Sequence, residues 1–378
     1  MIERARTIVD LLRLLRYGGP AVCNVSVTNT CNATCGFCNF AYDKGYVRER
    51  RWLDADRFAG ALAILHQHGG VRYAIFMGGE PLLHPKLVDM ASTARSMGIE
   101  PMVITNGWLL ADKLDGLARA GVKTVLISID APDVEVHETN RGLRGVCARI
   151  ATATRRMPSL GMTAVASVTM SRLIRDYKAL ASFLRGLGFS AVTFSYPRKT
   201  PLGSSSLVWS DDSDLVEFAP AELLASFEAV EELRPLFPLQ NPRASIADRK
   251  RRLHGEAERF VCYGGYKYFY MDWNYDLWRC ENWRTPICSV WEFDRGKLVR
   301  DGCTACMADC YRDASVMLHL AVSLGDAFDE LSEGRLLAAV AVLADRRNLT
   351  SLGAILNSGR RWHGLPSATP LVSQPGES

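Results

Sequence analysis

Six short apolar runs recur along the first half of the chain, and most are followed by a stretch whose apolar residues return every three or four positions. The runs are AVCNVSVT (21–28), RYAIFM (72–77), PMVIT (101–105), TVLISID (124–130), TAVASVT (163–169) and AVTFSY (191–196). They are rich in β-branched residues and apolar on both faces, the pattern of strands buried between layers. Between them lie DADRFAGALAILHQH (54–68), PKLVDMASTARSMG (85–98), LADKLDGLARAG (110–121), RGVCARIATATRRM (144–157) and RDYKALASFLRGLG (175–188), most ending near a glycine, as helix C-termini do. This alternation predicts a parallel sheet with helices outside it. Six βα units fall short of the eight of a closed barrel. The expected fold is therefore α/β, a partial (βα)6 TIM-like barrel over residues 21–200, with working residues at the C-terminal ends of its strands.

The pattern changes outside this region. MIERARTIVDLLRLLRYGG predicts an amphipathic helix over residues 1–20 that caps the barrel, with contact to a membrane surface as the minority reading. Residues 201–258 read as a bridging segment: a Pro/Ser/Asp-rich loop, the helical PAELLASFEAVEELRPLF, and the basic DRKRRLHGEAER, whose charges read as a solvated helix face. Residues 259–312 form a cysteine-rich module. Residues 313–360 predict two or three amphipathic helices, and the Pro/Ser/Gly-rich 361–378 predicts a disordered tail.

Composition narrows the classes. With 48% hydrophobic and 23% charged residues the chain can bury a sizeable core. A net charge of +4 from 45 basic and 41 acidic residues is too balanced to point to nucleic acid. No run of 18 apolar residues predicts a transmembrane helix. The N-terminus has neither the uncharged apolar core nor the cleavage site of a signal peptide. Eleven cysteines without such a signal imply a reducing, cytoplasmic setting, where clustered thiols more often bind metal than form disulfides.

Three of those cysteines follow the first strand in VTNTCNATCGFCNF. Cys31, Cys35 and Cys38 have the spacing C-x3-C-x2-C, which suits neither a disulfide staple nor a tetrahedral zinc finger. Three thiolates can hold three irons of a cubane and leave the fourth open for chemistry. By composition alone the spacing arises in roughly 1 in 100 such chains. Cys262, Cys280, Cys288, Cys303, Cys306 and Cys310 lie further on, while Cys23, Cys147 and Cys288 read as small core residues.

CNATCGFC after strand one, with Phe37 before the third cysteine, resembles the signature of radical S-adenosylmethionine (radical SAM) enzymes. MGGEP at the end of strand two (Gly78, Gly79, Glu80) resembles the family's GGE motif, where the strand edge binds the SAM amino group. Asn106 in ITNG, Ser128 and Asp130 in SID, and Arg141 in HETNRG match positions where relatives contact SAM, the arginine pairing with its carboxylate. Strand capping is the plainer role for Asn106, Ser128 and Asp130, and a structural role for His137. The resemblance covers about residues 20–200. It implies a [4Fe–4S] cluster on Cys31, Cys35 and Cys38 that chelates SAM and cleaves it to a 5′-deoxyadenosyl radical, with an electron donor such as flavodoxin or ferredoxin.

CYGGYKYFYMDWNYDLWRC resembles the auxiliary-cluster module called SPASM, or its shorter form, twitch. There one cysteine precedes a β-hairpin and another ends it, as Cys262 and Cys280 do here, and CTACMADC would add Cys303, Cys306 and Cys310. Two features depart from the pattern. Tyr275 stands at the usual hairpin glycine, and the final cysteine run is shortened. One auxiliary [4Fe–4S] cluster follows, with a zinc site or plain buried cysteines as alternatives. Glu281, directly after Cys280, resembles the Asp that serves as proposed base in sulfatase-maturing relatives. Capping the hairpin, or pairing with Arg279 or Arg284, is its bland role. The expected function is radical chemistry on a small-molecule substrate, possibly lipid-like or a natural product, such as a dehydrogenation. The alternatives are a peptide-modifying enzyme and a non-catalytic iron–sulfur carrier or sensor.

Overall fold

The computed structural model describes residues 14, 16–41, 47, 49–197, 213–306 and 308–357. Most of the expected N-terminal helix, the Pro/Ser/Asp-rich loop and the C-terminal tail lie outside these residues.

All six expected strands form. β1 (Ala21–Thr28), β2 (Val71–Gly78), β3 (Glu100–Thr105), β4 (Thr124–Ile129), β5 (Thr163–Thr169) and β6 (Ala191–Ser195) pair in parallel in chain order. The helices between them are α1 (Ala55–Ile64), α2 (Leu87–Ser96), α3 (Leu110–Arg119), α4 (Val134–Arg141), α5 (Val146–Arg156) and α6 (Tyr177–Gly186). Local chemistry sets several starts: the Asp54, Asp133 and Asp176 side chains accept from the first-turn N–H groups of α1, α4 and α6. The sheet and helices share one core, in which β1 is buried along its whole length.

The sheet does not end at β1. β7 (Tyr268–Met271) pairs in parallel with β1 on its other edge, and β8 (Asp276–Trp278) and β9 (Cys288–Ser289) continue antiparallel. The strand order is β6-β5-β4-β3-β2-β1-β7-β8-β9. The cysteine-flanked hairpin is therefore an extension of the barrel sheet. All four residues of β7 are buried, as a strand covered on both faces requires. At the far edge, residues 238–241 occupy β6. Val192 N–H donates to Pro238 O (2.9 Å), and the Asn241 side chain accepts from Phe194 N–H and donates to Phe194 O. That edge is thereby closed to further strand pairing.

Five more helices follow: α7 (Pro220–Leu233), α8 (Arg243–Leu253), α9 (Asp309–Ser332), α10 (Leu336–Leu343) and α11 (Arg346–Asn357). The first turns of α9 lie along the open side of the barrel, where Asp309 accepts from Ser195 Oγ (3.4 Å) and Asp313 from Asn241 Nδ2 (2.7 Å). The basic run on α8 is a solvated face only in part, since Lys250, Arg251 and Arg252 stay partly exposed. Asp248 and Arg249 are buried, and Glu258 bridges Arg249 (2.8 Å) and Arg312 (2.7 Å) in a buried triad. Burial of charge needs such partners, and the second arginine comes from α9, far along the chain.

Tyr275, in the hairpin turn, is the one non-glycine with positive φ (68°) among the described residues. The position that favours glycine thus keeps its left-handed backbone, and the side chain compensates. The ring is buried, packs on Trp291 with centroids 5.2 Å apart, lies under Arg57, and its hydroxyl donates to Asp54 O. Relief of a left-handed residue is worth about 1–2 kcal/mol, and loss of a buried aromatic costs about 3–5 kcal/mol. Tyr275→Gly is therefore expected to lower stability by roughly 2 kcal/mol, read as a lower denaturant midpoint at unchanged slope. An unchanged or raised midpoint would show that the ring contributes little.

Candidate active site

The loop after β1 carries Cys31, Cys35 and Cys38 and is held from three sides. Gly79 N–H donates to Thr28 O (2.8 Å) and Glu80 N–H to Thr30 O (2.8 Å). A Cβ on Gly79 would stand 2.1 Å from Thr30 O, and one on Gly78, at φ 122°, 2.4 Å from Thr28 O. The two glycines are thus required by the close approach of the chain's own cysteine loop, whatever else they contact. From α4, Asn140 Oδ1 accepts from Gly36 N–H (3.0 Å) and Arg141 O from Thr34 N–H (2.9 Å). From the end of β3, Asn106 Nδ2 donates to Asn32 Oδ1 (2.8 Å).

Glu80 fastens β2 to β3. Its buried carboxylate accepts from Leu82 N–H (3.0 Å), Thr105 Oγ1 (2.7 Å) and Asn106 N–H (2.8 Å), while burial raises its pKa against these bonds. Asp130 is fully buried behind Arg141 and does not line the cavity described below, contrary to the expected cofactor contact. It is held by the Arg141 fork at 2.8 and 2.6 Å. Burial alone would raise its pKa, but the guanidinium keeps it below the usual value. Arg141 thus spends Nε and Nη2 on Asp130 while still lining the cavity. His137 is buried, with its pKa lowered to about 4 by burial, and its neutral ring accepts from Asp130 N–H (3.1 Å). That is the structural role read from sequence.

One cavity of about 710 Å³ runs from this loop through the barrel interior. Cys31, Cys35, Phe37, Cys38, Gly78, Gly79, Glu80, Asn106, Ser128 and Arg141 line it at the strand ends. Glu281, Asp309 and Cys310 line it from the hairpin and α9. Glu281 is buried, and its N–H donates to the Tyr311 hydroxyl (2.9 Å). Arg279 pairs instead with Asp301 (2.6 and 2.8 Å).

A second, small cavity is lined by Cys262, Cys280, Cys303 and Cys306, together with Trp283 and Tyr311. Cys310 is not among these residues. It lines the large cavity, its Sγ 3.9 Å from Glu281 Oε1, and also packs against the buried cluster that contains Cys280 and has Cys262 and Cys306 at its margin. The 303–306 loop is held by its carbonyls: Arg312 donates to Cys303 O (3.2 Å), Arg249 to Cys306 O (3.4 Å), and Arg252 to Thr304 O and Ala305 O. These arginines were not found from sequence, because nothing local marks which positive charges turn inward.

Both cysteine groups carry the donor chemistry of iron–sulfur ligands, but among the described residues no three of the side chains converge as a site for a metal ion. Backbone N–H groups point at sulfur in each: Ala33 to Cys31 (3.4 Å), Gly264 to Cys262 (3.3 Å) and Ala305 to Cys303 (3.5 Å). Such bonds stabilise thiolates and tune clusters. Burial pushes the thiols of Cys31 and Cys280 up to about 12 and that of Cys262 to about 11, so they favour the thiolate only against a compensating cation. Cys23 and Cys147 are buried core residues, and Cys288 is half-buried on β9.

Residues 25–177 match the family model described as the radical SAM superfamily. Through its barrel the chain is thus similar to the radical SAM superfamily. Its barrel is 36% identical over 113 residues to a GTP 3′,8-cyclase of Chlorobaculum tepidum, covering 29% of this chain and 33% of that protein. It is 32% identical over 139 residues to a PqqA peptide cyclase of Gluconobacter oxydans, covering 36% and 37%. The chain thus spans about a third of the length of these curated relatives. Among solved structures, Streptococcus suis SuiB bound to S-adenosylmethionine superposes with TM-score 0.52 at 16% identity, over 74% of this chain and 64% of that one, a likeness of fold. That family implies a [4Fe–4S] cluster and SAM for the matched region.

Gly79→Ala is expected to push the cysteine loop off β2. Iron bound after anaerobic reconstitution should fall by roughly half, from the barrel site alone, with the secondary structure kept. Full iron loading by this variant would contradict the role given to the glycine.

Proposed function

We propose that this chain is a radical SAM enzyme that oxidises a small molecule, with one auxiliary cluster. The observation that carries the reading is the single cavity shared by Cys31, Cys35 and Cys38 at one wall and Glu281 at the other. Cys31, Cys35 and Cys38 hold the first [4Fe–4S] cluster, and Cys262, Cys280, Cys303 and Cys306 hold the auxiliary one. With SAM bound and an electron from a donor such as flavodoxin or ferredoxin, the first cluster supplies a 5′-deoxyadenosyl radical that removes a hydrogen atom from an unactivated C–H bond. Phe37 and the GGE strand end shape the SAM side, and the free edge of Arg141 suits the SAM carboxylate. Loss of a second electron from the substrate releases a proton, which Glu281 accepts. Cys262, Cys280, Cys303 and Cys306 would hold the cluster that accepts that electron, and Cys280 directly precedes Glu281 on the wall of the main cavity.

The cavity volume lies within the range of small-molecule sites. Hydroxyl groups from Ser167, Thr169, Thr193 and Ser195 on the barrel wall and the Asp309 carboxylate on α9 offer hydrogen-bonding positions in a lining that is otherwise mostly apolar, which suits a small molecule with both apolar and polar parts. Peptide modification is the second reading, favoured by the similarity to a PqqA peptide cyclase. No helix among the described residues is long and apolar enough to cross a membrane.

Replacing Cys31, Cys35 and Cys38 together by Ala should abolish reductive formation of 5′-deoxyadenosine from SAM while the second site keeps its iron. Continued SAM cleavage would sink the assignment. The fully loaded protein should bind about eight irons per chain. Cys262→Ala or Cys303→Ala should reduce that to about four, and Cys310→Ala should leave it unchanged. Zinc in the second site, or iron lost with Cys310, would overturn the ligand set. Glu281→Gln should still form 5′-deoxyadenosine but accumulate little oxidised product. Unaffected product formation would place the base elsewhere.

A further inference from the structure

Helices α10 and α11 are built inside out. α10 turns Leu336, Leu337, Val340 and Leu343 to solvent and buries Ala339. α11 turns out Leu349, Leu352 and Leu356 and buries Asn348 and Ser351. Leu337 is 85% exposed, and Leu349 and Leu356 are each 74% exposed. The polar inner face is fixed by hydrogen bonds. Asn348 Nδ2 donates to Val342 O (2.9 Å) and Leu343 O (3.2 Å), Leu320 N–H donates to Ser351 Oγ (3.1 Å), and Ser351 Oγ donates to Met317 O (3.2 Å). Turning the leucines inward would break all four bonds and bury side chains where small ones now fit. The arrangement opposes the usual agreement of pattern and burial, and it is satisfied when something covers the outer face.

We propose that α10 and α11 form an isologous homodimer interface, the same two helices of a second copy covering the apolar face. Three observations select a second copy. Leu336, Val340 and Leu343 recur at i, i+4, i+7, and Leu349, Leu352 and Leu356 at i, i+3, i+7. This is the seam spacing by which helices pack on helices, and a two-fold axis supplies an identical pair. The exposed apolar side chains of α10 and α11 together offer on the order of 800 Å². Monomers seldom expose a patch above about 300–600 Å², and one side of a stable interface needs about 800 Å². Most charges at the rim are paired, Arg335 with Glu330 and Glu333 and Arg347 with Asp345, which among the described residues leaves Arg346 as a single exposed cation beside the face. An amphipathic anchor for anionic lipid carries a Lys/Arg-rich polar face instead.

The test is sedimentation velocity on the full anaerobic protein at micromolar concentration, with a Leu337→Glu/Leu349→Glu double variant. The wild type should sediment as a dimer. The variant should be monomeric, its dimer dissociation constant raised on the order of 100-fold or more, with unchanged circular dichroism and iron content. Should the double variant misfold, Leu337→Gln alone must still weaken the dimer. A monomeric wild type, or a dimer indifferent to these changes, overturns the proposal. So does a monomer that pellets with phosphatidylcholine–phosphatidylglycerol vesicles, which assigns the face to a membrane. A monomer that dimerises only after residues 1–13 are deleted assigns the face to that segment and equally overturns it.

Discussion

The fold and the site both depend on the docking of the cysteine loop against the end of β2. Two backbone hydrogen bonds, from Gly79 to Thr28 and from Glu80 to Thr30, carry the chain from β1 across the top of the sheet. They form only because neither glycine has a Cβ, since one on either would stand within 2.4 Å of a carbonyl oxygen. Glu80 then continues the bracing to β3, and α4 closes the loop from the other side through Asn140 and the Arg141 carbonyl. Three flexible thiols thereby gain fixed positions facing one cavity. A site of this kind is preorganised by backbone rather than by its side chains, the supporting layer on which side-chain geometry generally depends.

The same economy appears in the second cysteine group. Its hairpin adds to the barrel sheet through β7, which sets Glu281 on the wall of the main cavity and Cys280 in the second one, while Arg249, Arg252 and Arg312 grip the carbonyls of the 303–306 loop. Buried arginines joined to Glu258 are weak contributors to net stability. Removing one leaves an uncompensated charge worth about 3–5 kcal/mol, so the triad acts chiefly to specify where the loop sits. Tyr311 joins the two regions: its hydroxyl accepts from Glu281 N–H, and its ring packs on Tyr268 at 4.6 Å, one ring at each cavity.

The six βα units were legible because strand and helix periods differ and each unit is local. The cysteine triplet, the GGE turn and the hairpin between Cys262 and Cys280 were legible for the same reason. Tyr275 even kept the left-handed turn that its glycine-like position implied. What could not be read depends on distant partners. YFYM is too short to announce that it pairs with β1 some 240 positions earlier. Arg249 looks like any solvated charge until Glu258 and Arg312 close around it. Asp130 ends a strand like a ligand but is spent on Arg141. Cys310 follows Cys306 in the same run, yet the first turn of α9 turns it into the other cavity.

The central claim is that the loop after β1 builds a cluster site open to SAM. It is tested most directly on a variant with Cys262, Cys280, Cys303 and Cys306 replaced by Ala, which leaves the barrel site alone. After anaerobic reconstitution and reduction, its electron paramagnetic resonance spectrum should show a single [4Fe–4S]⁺ signal, and adding SAM should change that signal. A reduced cluster whose spectrum is indifferent to SAM, or a variant that binds no cluster at all, would contradict the account.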